Sequence, residues 1–173
     1  MTMLAVLVPS AQAEGRSSQP DAGIAKTGKI ARYDKSKAQC RGSYRCLRDY
    51  HQRKRCNRKP RGSVSQTKCY VVYAARYYGQ NPRDALATVS CESTFSRHAE
   101  NGPYLGPWQF DKPTWNATPH SQKIVRTAKG SVVRDPQGQL KTKRRSRTNA
   151  KYSSLGAMWY WRHGGRRRWP VCG

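Results

Sequence analysis

The sequence predicts a mostly α-helical domain that carries a short β hairpin and follows a basic, cysteine-containing segment. Apolar residues recur at helical spacing in stretches bounded by strong capping signals, and six cysteines stand in a short chain of 173 residues. The hydrophobic content of 36% and the mean hydropathy of −0.94 are low for a chain that folds throughout. We therefore expect part of the chain to be disordered.

An export signal is predicted over residues 1–13. Residues 3–8 form a short apolar run, and the small residues Ala11 and Ala13 that follow are typical of a signal-peptidase site. The mature chain would then begin at Glu14, although no Lys or Arg precedes the apolar run. No apolar run approaches the roughly 20 residues of a membrane span. A secreted or cell-wall-associated protein without a transmembrane anchor is expected.

Two basic segments are predicted to precede the main domain, which would occupy residues 67–173. Residues 14–38 are rich in Ser, Gly, Lys and Gln and lack apolar periodicity, which predicts a disordered basic leader. Residues 39–66 contain three cysteines and many basic residues. Because this segment has little apolar surface to bury, we expect disulfides to hold it together.

The cysteines predict disulfides rather than a metal site. An even number of cysteines in a short exported chain usually forms disulfides. Their intervals are irregular and contain no Cys-x-x-Cys pair, so a zinc site is not expected. No other cofactor is expected. The six are Cys40, Cys46, Cys56, Cys69, Cys91 and Cys172.

Capping signals place the first two helices of the main domain. Apolar residues between positions 70 and 78 predict a helix that ends at Gly79. Asn81 as N-cap, followed by Pro82 at the first helical position, predicts the start of a second helix. The stripe that this helix would bury consists of Ala85, Leu86 and Val89.

Two further helices and an insertion follow. Asp111 is predicted to cap a short helix that runs to Trp115, and a last helix is predicted over residues 149–162. Between them, residues 122–148 permit a hairpin with a turn at 135–138. Nine Lys and Arg face one acidic residue there, so the segment is either a solvated loop or an arm that grips a polyanion. No internal repeat is evident.

Glu92 is the candidate catalytic residue. It ends the second predicted helix, precedes Phe95 and lies upstream of a loop that contains Trp108 and Phe110. An apolar environment raises the pKa of a carboxyl group because burial penalises the charged form. Such a group acts as a general acid near neutral pH. The many nearby arginines would oppose this rise, so the carboxyl group must be shielded from them.

The residues around Glu92 belong to an ordered set that extends to the end of the chain. It consists of Cys91 to Phe95, Ala99, Asn101-Gly102, Tyr104-Leu105-Gly106, Trp108-Gln109-Phe110, Thr114-Trp115, Asn149-Ala150, Leu155 to Trp161 and Trp169 to Cys172. This set resembles the lytic transglycosylase family and its actinobacterial relatives, the resuscitation-promoting factors. The family signature is Glu-Ser at a helix end followed by Gly-Leu-x-Gln-Phe; Pro107 departs from it. The resemblance covers residues 67–173, about 60% of the chain.

The resemblance implies a mostly α-helical, α+β lysozyme-like fold with a substrate cleft. Glu92 would protonate the oxygen between N-acetylmuramic acid and N-acetylglucosamine in peptidoglycan, then take the proton from the muramic C6 hydroxyl and leave a 1,6-anhydro product. This route needs no second carboxylate, unlike most glycosidases. Asp111 and Glu100 are the only later acids near the motif, and either one as a partner would make the enzyme a hydrolytic muramidase.

The resemblance also suggests substrate contacts. Gln109 would hydrogen-bond a sugar or satisfy the backbone, and Ser93 would orient Glu92 or cap its helix. Tyr160 or Tyr152 would take the place of the tyrosine that family members often carry near the glutamate. The flat faces of three aromatic residues suit sugar stacking, although Trp115 is equally a core residue. The substrate-binding residues expected on these grounds are Ser93, Tyr104, Trp108, Gln109, Trp115, Tyr152 and Tyr160.

Cys91 and Cys172 are the expected disulfide pair beside the site. This bond would tie the end of the catalytic helix to the C-terminal segment across about 80 residues, a loop that stabilises by roughly 4 kcal/mol in the entropy model. The other four cysteines allow three connectivities, and the sequence does not choose between them.

The net charge of +25 predicts polyanionic partners. Beyond peptidoglycan strands, we expect the basic segments to bind anionic cell-wall polymers. Nucleic acid is disfavoured because the chain contains no nucleic-acid-binding motif. The charge also keeps open a non-enzymatic alternative, a polycationic protein that binds the envelope or nucleic acid.

Overall fold

A computed structural model describes residues 37–40, 43–170 and 172. The predicted export signal and nearly all of the leader at 14–38 lie outside these residues. Within them, five α-helices accompany two small antiparallel sheets, so the mostly α-helical prediction is confirmed. The elements are α1 (Tyr44–Asn57), α2 (Val64–Tyr78), α3 (Pro82–Ser93), β1 (Glu100–Asn101), β2 (Tyr104–Leu105), α4 (Lys112–Asn116), β3 (Gln122–Ile124), β4 (Thr142–Arg144) and α5 (Ala150–Arg162).

The capping signals place the helix ends correctly. The predicted end at Gly79 is confirmed, where this residue takes the left-handed conformation with φ +70°. The Asn81 side chain accepts a hydrogen bond from the first turn of α3, and Asp111 does the same for α4. Asn149 caps α5 in the same way. Each cap satisfies a backbone N–H that the helix itself leaves unpaired.

Helix α1 lies where the sequence predicted only a disulfide-held module. Ser43 caps its start, and the helix packs against α2. The Cys56–Cys69 disulfide joins the two helices, while Cys40–Cys46 ties a short 3₁₀ turn to α1. The domain boundary expected between residues 66 and 67 falls inside α2. The cysteine-containing segment is therefore continuous with the helices that follow.

The core forms where α5 packs against α2 and the segment after β2. Trp108 is fully buried, and its indole N–H donates a hydrogen bond of 3.0 Å to Ser154 Oγ on α5. The Trp169 indole donates to the carbonyl oxygen of Trp108 at 2.9 Å. Trp161 and Trp169 both meet the Trp108 ring edge to face. These contacts join the C-terminal segment, α5 and the loop between β2 and α4.

The insertion forms a basic arm, defined here as residues 122–144. Strands β3 and β4 pair in antiparallel register, which places Lys123 directly opposite Lys143. Beyond these strands, three backbone hydrogen bonds run in a cycle, from Val125 to Lys141, from Lys141 to Val133 and from Val133 to Val125. The arm is thus a compact three-cornered unit rather than the single hairpin permitted by the sequence.

Two corners of the arm repeat the same eight-residue pattern. Residues 124–131 and 132–139 both follow the order apolar, Val, Arg, three variable residues, Gly and one polar residue. Arg126 donates to the Gly130 carbonyl oxygen at 2.6 Å, and Arg134 donates to the Gly138 carbonyl oxygen at 2.5 Å. The expectation that the chain contains no internal repeat was wrong. Only the geometry shows that both arginines hold the same turn.

Replacing Ser154 by Ala is expected to lower the free energy of unfolding by about 1–3 kcal/mol, because the buried Trp108 indole N–H loses its acceptor. Chemical denaturation with the disulfides intact measures this loss. Ser131→Ala, at an exposed serine of the basic arm, is the control and should have little effect. Equal losses in the two variants would contradict the assigned role of Ser154.

Candidate functional site

Glu92 lies in the last turn of α3, at the end of its buried face. Ala85, Thr88 and Val89 precede it by seven, four and three residues, and all three are buried. Residues at these spacings share one side of a helix. Glu92 itself is half-buried. Glu92 therefore continues the buried side of α3 at the end of the helix, and its catalytic role stays a prediction.

The Glu92 carboxyl group is electrostatically isolated. Burial raises its pKa above the ordinary value, and no neighbouring cation counteracts the rise. Among the described residues, it has no hydrogen-bond or ion-pair partner; the ion pairs there join Arg48 to Asp49 and Arg166 to Asp84. The arginines that dominate the sequence thus do not oppose the rise in the Glu92 pKa.

Ser93 ties the end of α3 to the loop after β2. Its Oγ donates to the carbonyl oxygens of Pro107 at 2.9 Å and Val89 at 3.2 Å. These bonds hold the helix end against the loop, while the C-cap residue of α3 is Thr94. The other role expected for Ser93, orienting Glu92, stays a prediction. Cys91 adds a covalent link here, since it forms the expected disulfide with Cys172.

Backbone strain is concentrated next to Glu92. Among the described residues, the only non-glycine residues with positive φ are Thr94 at 49°, Phe95 at 65° and Gln109 at 45°. Each such conformation costs on the order of 1–3 kcal/mol and persists only where surrounding contacts impose it. Strain of this kind is characteristic of functional sites. Here it occurs directly after α3 and in the loop after β2, the two segments that the Ser93 hydrogen bond joins.

Gln109 holds the loop rather than pointing into open space. Its Nε2 donates to the carbonyl oxygens of Ala99 at 3.1 Å and Gly106 at 2.8 Å. Gly106 has φ +84°, and a Cβ at this position would overlap the carbonyl oxygen of Arg147. The backbone-satisfying role that the sequence allowed for Gln109 is therefore the one observed.

Arg147 is a structural residue of the site that the sequence did not single out. Its guanidinium donates to the carbonyl oxygens of Pro103 at 2.8 Å and Phe110 at 2.7 Å. It thereby joins the turn between β1 and β2 to the segment after β2. No sequence pattern distinguished it from the eight other cations counted between Gln122 and Arg147.

The structure corrects two of the aromatic contacts. Trp108 is fully buried and Trp115 is 3% exposed, with its indole N–H bonded to the Arg145 carbonyl oxygen at 2.9 Å. Both rings belong to the core and offer no face to a sugar. Tyr104, by contrast, is 46% exposed in β2. It is the one ring of the three that is accessible for stacking.

The two candidate tyrosines of α5 occupy different environments. Tyr160 is buried, and its hydroxyl donates to the Thr114 carbonyl oxygen at 2.9 Å, so it serves the core. Tyr152 is half-buried with the Arg145 guanidinium 3.8 Å from its ring centre. It lines a surface cavity of about 370 Å³.

The sequence also missed a buried histidine. His120 bonds to the Tyr78 hydroxyl through Nε2 at 2.6 Å, and burial, reinforced by the cations Arg145 and Lys151, lowers its pKa to about 3. A histidine kept neutral in this way joins α2 to the segment after α4. Since it lies within the core, we assign it a structural role.

Two surface cavities are described, of about 450 Å³ and 370 Å³, and Glu92 lines neither. The described residues contain no group of three or more His, Cys, Asp or Glu that could hold a metal ion. In the same part of the chain, no helix is both long enough and apolar enough to span a bilayer. Compared with protein-family models, curated proteins and solved structures, the chain shows no match.

Glu92→Gln is expected to raise thermal stability at about pH 7 but not at about pH 3. The pKa of Glu92 is higher in the folded protein than in the unfolded chain. The contribution of Glu92 to the free energy of unfolding is therefore fully present at pH values below the unfolded pKa. It is lost as the pH rises through the folded pKa, because the buried side chain must then ionise. Glutamine keeps the shape and cannot ionise. Melting curves of both proteins at the two pH values measure the effect, and an equal difference at both would contradict it.

Proposed function

We propose that this chain is a secreted enzyme with a lysozyme-like fold that cleaves peptidoglycan between N-acetylmuramic acid and N-acetylglucosamine. The observation that carries the proposal is the Glu92 carboxyl group, which is half-buried, raised in pKa and without a partner among the described residues. The strained backbone beside it and the resemblance of residues 91–115 to lytic transglycosylases support the same conclusion.

The reaction would use Glu92 first as an acid and then as a base. Its proton passes to the bridging oxygen as the bond from that oxygen to the muramic C1 breaks, and N-acetylglucosamine leaves with a free 4-hydroxyl group. The muramic C6 oxygen then bonds to C1 while the Glu92 carboxylate accepts the C6 hydroxyl proton. No water is consumed, the product is a 1,6-anhydro sugar, and Glu92 regains its proton.

The transglycosylase outcome is favoured over hydrolysis by the state of the other acids. Asp111 is committed as the N-cap of α4, where its Oδ1 accepts the Thr114 N–H at 2.9 Å. Glu100 is exposed in β1, outside any apolar environment. A hydrolase usually requires a second carboxylate close to the acid. The hydrolytic muramidase is kept as the alternative reaction.

The substrate contacts of the proposal are reduced to those that the structure leaves accessible. Tyr104 offers an exposed ring for sugar stacking. Ser93 and Gln109 act indirectly, as positioning residues that hold the loop after β2 against the end of α3. The three disulfides are consistent with the secretion that the proposal includes.

The basic arm supports a second activity, which is adhesion to anionic wall polymers. Lys123 and Lys143 lie opposite each other, an arrangement of like charges that destabilises a hairpin unless an anion neutralises it. None of the exposed cations of the arm has an ion-pair partner among the described residues. They are Lys123, Arg126, Lys129, Arg134, Lys141, Lys143 and Arg144. Adhesion without cleavage is the competing function.

Purified wild type is expected to release 1,6-anhydro muropeptides from isolated peptidoglycan, and Glu92→Gln is expected to release none. The glutamine keeps the size of the side chain but has no proton to transfer. Mass spectrometry of the soluble products measures the outcome. Asp84→Asn is the matched control, since it removes a half-buried carboxylate from the other end of the same helix.

The product masses separate the alternatives. Products heavier by one water that also depend on Glu92 would replace the transglycosylase by the muramidase. Equal release by wild type and Glu92→Gln, or no release by either, would refute the enzymatic proposal and leave the polycationic binding protein.

Changing Lys123, Lys129, Lys141 and Lys143 together to Gln is expected to weaken binding to cell walls several-fold, because the arm loses most of its unpaired charge. Sedimentation with walls that carry phosphodiester polymers measures binding, and walls stripped of these polymers should erase the difference. The control removes four exposed charges from the region of α1, at Lys54, Arg55, Arg58 and Lys59. An equal loss in the control would show that only total charge matters.

A further inference from the structure

The larger of the two described surface cavities lies apart from Glu92, between α1, α2 and the end of α5. Its volume of about 450 Å³ is within the range for small-molecule sites. We call it the α1–α2 cavity. Charges of both signs line it, with Arg45 and Asp49 from α1 and Arg162 from the end of α5.

The floor of the α1–α2 cavity is already fixed by contacts within the protein. It consists of Tyr73, Tyr77 and Tyr78 of α2, and two of these, Tyr73 and Tyr78, are buried. The centroid of the Tyr77 ring lies 6.1 Å from that of Tyr73 and 5.1 Å from that of Tyr78. The Tyr78 hydroxyl bonds to His120. These tyrosines shape the cavity, and the charged groups of its walls are the ones that would meet a ligand.

Two arginines meet at the carboxyl end of α2. Arg45 donates through Nη2 to the Tyr77 carbonyl oxygen at 3.1 Å, and Arg162 donates through Nη1 to the Tyr78 carbonyl oxygen at 3.3 Å. The negative end of the helix dipole attracts both guanidinium groups and offsets their mutual repulsion. Each group has further N–H donors, which bond nothing else among the described residues. The two arginines are thus positioned beside the cavity with donors to spare.

Asp49 adds a carboxylate to the same cavity. It follows Arg45 by four residues, so the two side chains share one face of α1. Its Oδ1 lies 3.7 Å from Arg48 Nε, while its Oδ2 has no ion-pair or hydrogen-bond partner in the described part of the chain. Burial raises the pKa of Asp49, although Arg48 and Arg45 act to lower it. A further cation at Oδ2 would stabilise the charged form of this half-buried group.

We propose that the α1–α2 cavity binds a zwitterion, namely an amino acid or short peptide that carries a free carboxylate and a free amino group. Guanidinium groups recognise a carboxylate by paired N–H···O hydrogen bonds, which Arg45 and Arg162 would supply. Asp49 would accept hydrogen bonds from the ammonium group. A phosphate dianion would be repelled by Asp49, so charges of both signs favour the zwitterion. This binding site is separate from Glu92 and does not rest on the proposed cleavage reaction.

The test is calorimetric titration of the full chain with L-alanyl-L-alanine, with its C-terminal amide and with its N-acetyl derivative. The amide lacks the carboxylate, and the N-acetyl derivative lacks the ammonium group. Salt at about 0.15 M screens the net charge of +25, so that differences between the ligands reflect contacts in the cavity. The dipeptide is expected to bind about tenfold more tightly than either derivative, because each derivative loses one charge-assisted contact.

Two variants assign the two ends of the ligand. Arg162→Gln should remove the preference for the dipeptide over its amide. Arg162→Lys should retain part of that preference, because lysine keeps the charge but not the paired hydrogen bonds. Asp49→Asn should instead remove the preference for the dipeptide over its N-acetyl derivative. Circular dichroism establishes that each variant is folded before it is titrated.

The control is Arg83→Gln, which removes an exposed arginine of α3 outside the cavity and should leave all three affinities unchanged. Equal affinity of the wild type for the dipeptide and either derivative overturns the proposal. Undiminished preferences in the folded Arg162→Gln and Asp49→Asn proteins also overturn it, as does an equal loss in Arg83→Gln. Because no glycan takes part in the titration, its failure and that of the Glu92 reaction are distinguishable.

Discussion

Burial of the Trp108 indole fixes the loop between β2 and α4, and the surroundings of Glu92 depend on that loop. The indole N–H is satisfied by Ser154, and the carbonyl oxygen of the same residue accepts the Trp169 indole. One residue earlier, the Pro107 carbonyl oxygen accepts the Ser93 hydroxyl. A large aromatic anchor thus carries a chain of hydrogen bonds from α5 to the end of α3, one residue from the candidate acid.

This anchoring explains how unfavourable backbone conformations persist at the site. Thr94, Phe95 and Gln109 all adopt positive φ, and each is flanked by contacts that outweigh the local cost. Gln109 closes the loop with two hydrogen bonds, and Arg147 closes it with two more. A loop held at this many points presents a fixed surface beside the carboxyl group, which preorganised acid catalysis requires.

The sequence predicted the local structure well because its signals are themselves local. Gly79, Asn81 and Asp111 act within one helical turn, so each marked a helix end correctly. Helix α1 was missed because it is strongly charged and buries little of its own surface.

Long-range features were beyond the sequence for a physical reason. Whether a tryptophan stacks on a sugar or fills the core depends on what packs around it, and for Trp108 those partners lie about 50 residues further along. The position of Glu92 on the buried side of α3 was predictable from helical spacing. The surface cavity of about 370 Å³ was not, since Arg61, Arg97 and Lys151 in its lining come from three distant segments.

The Cys91–Cys172 disulfide has a consequence for the order of events during folding. Cys91 lies 81 residues before its native partner, so its thiol is able to attack other cysteines until the C-terminal segment has reached it. The separations of the other pairs are only 6 and 13 residues. Short loops close quickly, so these pairs sequester all four competing thiols first. From loop length alone, the bond between Cys91 and Cys172 is therefore expected to close last.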